Sequence, residues 1–121
     1  MKKLFCLVPC LLVLACATEK KQSGKKSYKE EIGGAIYAHL REAKNCYESG
    51  PTRNDGKVAI DFKIEPDGKV TKASIQKSTL NQPNTEDCLL KMIRGIQFPP
   101  PQSGQETQVV YPFIFKTLKN N

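Results

Sequence analysis

Between Tyr28 and Tyr47 the apolar residues Ile32, Ala35, Ile36, Leu40, Ala43, Cys46 and Tyr47 recur three and four positions apart, with Glu30, Glu31, Arg41, Glu42 and Lys44 between them. That spacing puts one apolar stripe on a helix and predicts an amphipathic helix. Gly33-Gly34 weakens its first turns, so it is expected to fray there or to begin near Ala35. Ser49-Gly50-Pro51 ends it, because glycine suits a C-terminal cap and proline cannot continue a helix. The period then drops to two: Val58, Ile60, Phe62 and Ile64 alternate with mostly polar neighbours, which predicts a strand over Lys57–Ile64. Glu65-Pro66-Asp67-Gly68-Lys69 has the residue chemistry of a tight turn, so a hairpin follows. The return strand, Val70 to Ser78, changes parity between Val70 and the Ala73/Ile75 pair, which places a bulge near Thr71-Lys72. Asn84 is positioned to cap a second helix over about Thr85–Ile96, with Glu86 and Asp87 in its first turn and Cys88, Leu89, Met92, Ile93 and Ile96 as its apolar residues. Phe98-Pro99-Pro100-Pro101 can only be extended chain. Gln108–Lys116 reads as a last strand with Val109, Tyr111, Phe113 and Phe115 on one face, and Pro112, which cannot donate a ladder hydrogen bond, argues for the sheet edge. The order α-β-β-α-β predicts an α+β fold: a small antiparallel sheet of about three strands with two helices on one face.

The first residues carry a different pattern. Met1-Lys2-Lys3 precedes an unbroken apolar run from Leu4 to Ala15, the layout of an export signal, and polar Thr18-Glu19-Lys20-Lys21 stops it short of the roughly 20 residues that a membrane span requires. Val13-Leu14-Ala15-Cys16 resembles the lipobox of bacterial lipoproteins, with Cys16 as the acylated residue; the competing reading is an ordinary secretory signal cut near Ala15 or Ala17. Ala rather than Asp at position 17 points to the outer membrane, with the domain facing the periplasm. The expected organisation is a signal peptide over 1–15, a lipidated basic tether over 16–30 and one domain over 31–118. The whole chain carries +7, and loss of Lys2 and Lys3 with the signal lowers this to +5. Residues 19–29 hold five lysines and one glutamate before any apolar periodicity starts, as expected of a solvated tether that also favours anionic headgroups.

Cysteine usage sharpens this. Cys6 and Cys10 leave with the signal and Cys16 takes the lipid, so Cys46 and Cys88 remain, and two thiols in an oxidising compartment are expected to pair. Closing a loop of roughly 40 residues is worth roughly 4 kcal/mol in the chain-entropy model. Little else suggests chemistry. The single histidine, His39, lies near an apolar stripe and reads as structural or solvated, and its spacing from Cys46 is unlike close zinc-ligand pairs. Asp55, Asp61, Glu65 and Asp67 are too dispersed for a calcium loop, and no Cys-x-x-Cys pair is present for redox catalysis. No metal, cofactor or catalytic residue is expected. Nucleic acid is not an expected partner, since no basic stripe with interleaved aromatics is present.

One set of residues, taken in order, resembles a known family. Cys46-Tyr47-Glu48, Gly56–Ile64, Asp67-Gly68-Lys69-Val70, Ser78, Cys88, Phe98-Pro99-Pro100-Pro101 and Tyr111–Phe115 look like the AgmX/PglI C-terminal domain, a TonB C-terminal-like module. The resemblance implies the α+β fold above, a Cys46–Cys88 bond, and a non-enzymatic domain that meets partners through sheet edges. Main-chain hydrogen bonds then supply the contact. The expected partner is an envelope protein or peptide added to the last strand around Val109, Val110, Tyr111 and Ile114, with the membrane engaged through the lipid; peptidoglycan is the alternative partner of a purely structural component.

Overall fold

A computed structural model describes residues 26–51 and 53–117. The export signal, Cys16 and most of the tether lie outside the described residues. The elements are α1 (Tyr28–Tyr37), α2 (Leu40–Glu48), β1 (Gly56–Ile64), β2 (Val70–Ser78), α3 (Pro83–Gly95) and β3 (Thr107–Phe115). The three strands form one antiparallel sheet in the order β2-β1-β3, so β1 is central and β3 is an edge, as Pro112 requires. Val58, Ile60, Phe62 and Ile64 of β1, Val70 of β2 and Phe113 and Phe115 of β3 share a core with Ile32 and Ile36 of α1, Ala43, Cys46 and Tyr47 of α2, and Leu89, Met92 and Ile93 of α3. Among the described residues the helices therefore cover one face of the sheet and leave the other open.

The N-terminal helical stretch differs from the expectation in two ways. It starts at Tyr28 rather than near Ala35, because Ser27 and Glu30 form a capping box in which each side chain bonds the other's backbone N–H. That box offsets the two glycines, and nothing lies within 4 Å of where their side chains would begin. The stretch also breaks into two helices. At the joint the His39 N–H bonds the Ile36 carbonyl at 2.8 Å, a tighter turn than α, and His39 takes φ −110°, ψ 11°. The break lets Ile32 and Ile36 bury together and then Ala43, Cys46 and Tyr47, while Leu40, on the same stripe, remains 40% exposed.

The second predicted helix begins two residues early. Gln82, not Asn84, is the N-terminal cap, and Pro83 fills the first helical position, where its preset φ fits and no N–H is missed. Glu86 reaches back to accept from the Gln82 N–H at 3.2 Å and from Ser78 Oγ at 2.7 Å, tying the helix start to the end of β2. With that start, Cys88 falls in the second turn rather than the first. It is joined to Cys46 in the last turn of α2, so the disulfide staples α2 to α3.

The hairpin turn is built as its residues suggest. The Gly68 N–H bonds the Glu65 carbonyl, the Glu65 N–H bonds the Lys69 carbonyl, and Gly68 takes φ +88°. Gly68 is also pressed from outside: its carbonyl accepts from the Phe98 N–H at 2.9 Å, and a Cβ there would stand 2.0 Å from the Phe98 carbonyl oxygen. Phe98 in turn is buried and stacks on Phe62 with centroids 5.5 Å apart, so the Phe-Pro run is a fastened connector into β3. Tyr28 anchors the same run by donating to the Pro99 carbonyl at 2.9 Å.

Candidate functional site

Backbone parity decides which groups of the sheet remain available. Lys57 spends its N–H on Thr79 Oγ1 and its carbonyl on the Thr79 N–H, so Lys57, Ala59, Asp61 and Lys63 turn their backbone groups toward β2. Val58, Ile60, Phe62 and Ile64 then face β3 and pair with Phe113, Tyr111, Val109 and Thr107. The outward positions of β3 are therefore Gln108, Val110, Pro112 and Ile114. Pro112 occupies the kind of site where a missing donor is harmless, between two outward N–H groups at Val110 and Ile114.

The four residues expected to bind a partner divide into two pairs. Val110 and Ile114 expose 45% and 65% of their surface on the open face, with outward backbone. Val109 and Tyr111 lie half-buried on the helix-covered side, and their backbone groups are spent on β1. Tyr111 packs on Phe113 with centroids 5.0 Å apart, and Phe115 stacks on Tyr47 of α2 at 4.7 Å. Between α2 and β3 runs an open groove of about 840 Å³ whose apolar wall includes Leu40, Tyr47, Tyr111 and Phe113. Lys44, Arg53 and Lys116 stand on its rim against Glu48, which pairs with Lys44 at 3.7 Å. The sequence reading missed the α2 wall of this groove, because in the sequence Leu40 is indistinguishable from the buried residues of its stripe.

The disulfide and a small polar cluster hold that wall in place. Thr85 is 1% exposed, and its Oγ1 lies 3.4 Å from the Cys46 carbonyl and 3.3 Å from Gln82 Oε1. His39, weighed above as a zinc ligand, instead pairs its Nδ1 with Glu42 at 2.8 Å. Among the described residues no three His, Cys, Asp or Glu side chains are placed to hold a metal, and no helix is long and apolar enough to cross a membrane.

A stapled α+β domain of this size, with one sheet edge left open beside an apolar groove, belongs to the class of small binding modules. Residues 50–117, more than half of the chain, match the model of the Gram-negative bacterial TonB protein C-terminal family, and the chain belongs to that family. Similar solved structures include the solution structure of the Pseudomonas aeruginosa TonB C-terminal domain, at 22% identity over 64% of this chain and 78% of that one, with a TM-score of 0.44. The Helicobacter pylori TonB C-terminal domain, residues 194–285, is 21% identical over 76% of this chain and 96% of that one, also at 0.44. No curated protein matches the chain.

Proposed function

We propose that this chain is a lipoprotein, acylated at Cys16 and held at the outer membrane, that displays a non-enzymatic TonB-like domain to the periplasm and takes an extended segment of an envelope protein onto β3. The observation that carries this reading is the β3 edge itself: nine paired positions in unbroken register with β1, outward N–H groups at Val110 and Ile114, and a groove alongside. An added strand gains main-chain hydrogen bonds from the edge and rests alternate side chains in the groove. The rim of Lys44, Arg53 and Lys116 favours a segment with acidic residues. The ordered residues from Cys46 to Phe115 support the finer AgmX/PglI likeness within the family. The lipobox at Val13–Cys16 and the short stretch from Cys16 to the start of α1 at Tyr28, about 40 Å fully extended, support display close to a membrane.

The test is co-purification from envelope extracts with wild-type and Val110→Pro chains. A discrete protein partner lost in the variant supports strand addition. Retention on peptidoglycan that salt abolishes, with no protein partner, replaces it with the structural alternative. Membrane fractionation of Cys16→Ser tests the anchor separately: release into the soluble periplasmic fraction is expected, and unchanged fractionation contradicts acylation.

A further inference from the structure

The open face of the sheet carries a concentration of lysines that the helical face lacks. Register brings Lys57, Lys63, Lys72 and Lys77 onto it in adjacent rows, and Lys116 follows at the end of β3. The anions that meet them are Asp61, whose carboxylate accepts from Gln108 Nε2 at 3.0 Å, and Glu106, which lies 3.5 Å from Lys63, while Asp55 and Glu65 flank the two ends of β1 and are engaged by Thr117 and Thr71. The helical side is mixed instead, with Glu30, Glu31, Glu42, Glu48, Glu86 and Asp87 interspersed among Lys29, Arg41, Lys44, Lys91 and Arg94. Beside the lysines, the same open face carries Val110, Pro112 and Ile114 along β3, with Ala59 between Pro112 and Lys77. Ile114 at 65% and Val110 at 45% are among the few large apolar side chains that the described residues expose.

We propose that this face docks flat on an anionic phospholipid surface, with the lysines among the headgroup phosphates and Val110, Pro112 and Ile114 entering the headgroup layer. Lysines alone would suit any polyanion; the apolar row in the same plane is what a bilayer interface accommodates and a solvated acidic polymer does not. Docking in this pose leaves the groove and the outward β3 backbone to the side, accessible to a partner strand. The inference rests on the membrane-tether reading only for effective concentration: a face too weak to hold the free domain suffices once a tether of a few nanometres keeps it near the surface.

The chain contains no tryptophan, so Ile114→Trp places a single indole reporter on this face. Full-length chain carrying it is mixed with vesicles of phosphatidylcholine alone or with added phosphatidylglycerol, and sedimentation reports attachment by the N-terminus independently of the face. The expected result is a shift of the emission to shorter wavelength, and quenching by brominated lipid, with phosphatidylglycerol vesicles only. Both effects are lost in Lys57→Glu/Lys77→Glu and in 1 M salt, where the screening length falls to about 3 Å. Chain that sediments with the vesicles while the indole stays water-exposed overturns the docking proposal and leaves the tether standing. An equal shift in phosphatidylcholine overturns the anionic-lipid assignment. Thermal melting of both variants confirms that the face is presented on a folded domain.

Discussion

The two edges of the sheet are built to opposite specifications. β2 pairs with β1 through two register shifts, one near Thr71 as parity predicts and a second near Gln76 that alternation does not announce. Its outward backbone is covered at one point, since Arg94 of α3 donates to the Ala73 carbonyl at 3.1 Å, and Lys72 and Lys77 flank it. Bulges, lysines and a capping side chain are the devices by which proteins blunt a strand edge against unwanted pairing. β3 has none of these along nine regular pairs except Pro112, and a groove with an α2 wall runs beside it. The proposed strand addition at β3 rests on this asymmetry: one edge carries several blunting devices and the other is regular.

Removing the staple has the largest expected effect, and it falls on the β3 side. Cys46→Ser with Cys88→Ser releases α2, the groove wall, from α3, and calorimetry should show a loss of about 2–5 kcal/mol, with partner binding falling further than stability alone explains. Gly68→Ala strikes the hairpin that starts β2. A positive φ combined with a Cβ 2.0 Å from a backbone oxygen should destabilise the domain by about 1–3 kcal/mol in denaturant melts, while the β3 edge keeps its partner once folded. Gly33→Ala and Gly34→Ala touch neither edge and have open space around them, so each should raise stability by about 0.5–1 kcal/mol and leave binding unchanged. The smallest effect is a pH dependence. Burial, followed by the Glu31 carboxylate, raises the Tyr28 phenol above its usual value near 10. Folded Tyr28 thus holds its proton more tightly than the unfolded chain does. Its contribution is complete below pH 10 and declines as pH rises through the folded value, so a slight loss of stability at alkaline pH should disappear in Tyr28→Phe.

The regular parts of this fold were legible because each has one dominant period. Alternation at Val58, Ile60, Phe62 and Ile64 and at Val109, Tyr111, Phe113 and Phe115 places two strands and their buried faces, and the Asp67-Gly68 chemistry places the turn. What escaped depends on contacts between segments distant in sequence. The break at His39 is a tight turn in which its N–H bonds the Ile36 carbonyl, and a stripe of apolar residues that continues through it cannot reveal that. The true start of α3 turns on Glu86 reaching both Gln82 and Ser78, and the Ser27–Glu30 box outweighed the two glycines that suggested a frayed start. The edge itself could be read from Pro112, yet the groove could not, because its α2 wall is brought to β3 only by packing and by the disulfide.

The most direct test of the asymmetric edges is site-specific photo-crosslinking in intact cells, with the probe placed at Ile114 beside the outward β3 backbone in one chain and at Gln76 on β2 in another. A single discrete adduct from position 114, absent from position 76 and lost when Val110→Pro is added, is the predicted result. Equal adducts from both positions, or an adduct at 114 that survives Val110→Pro, would contradict recognition at the β3 edge.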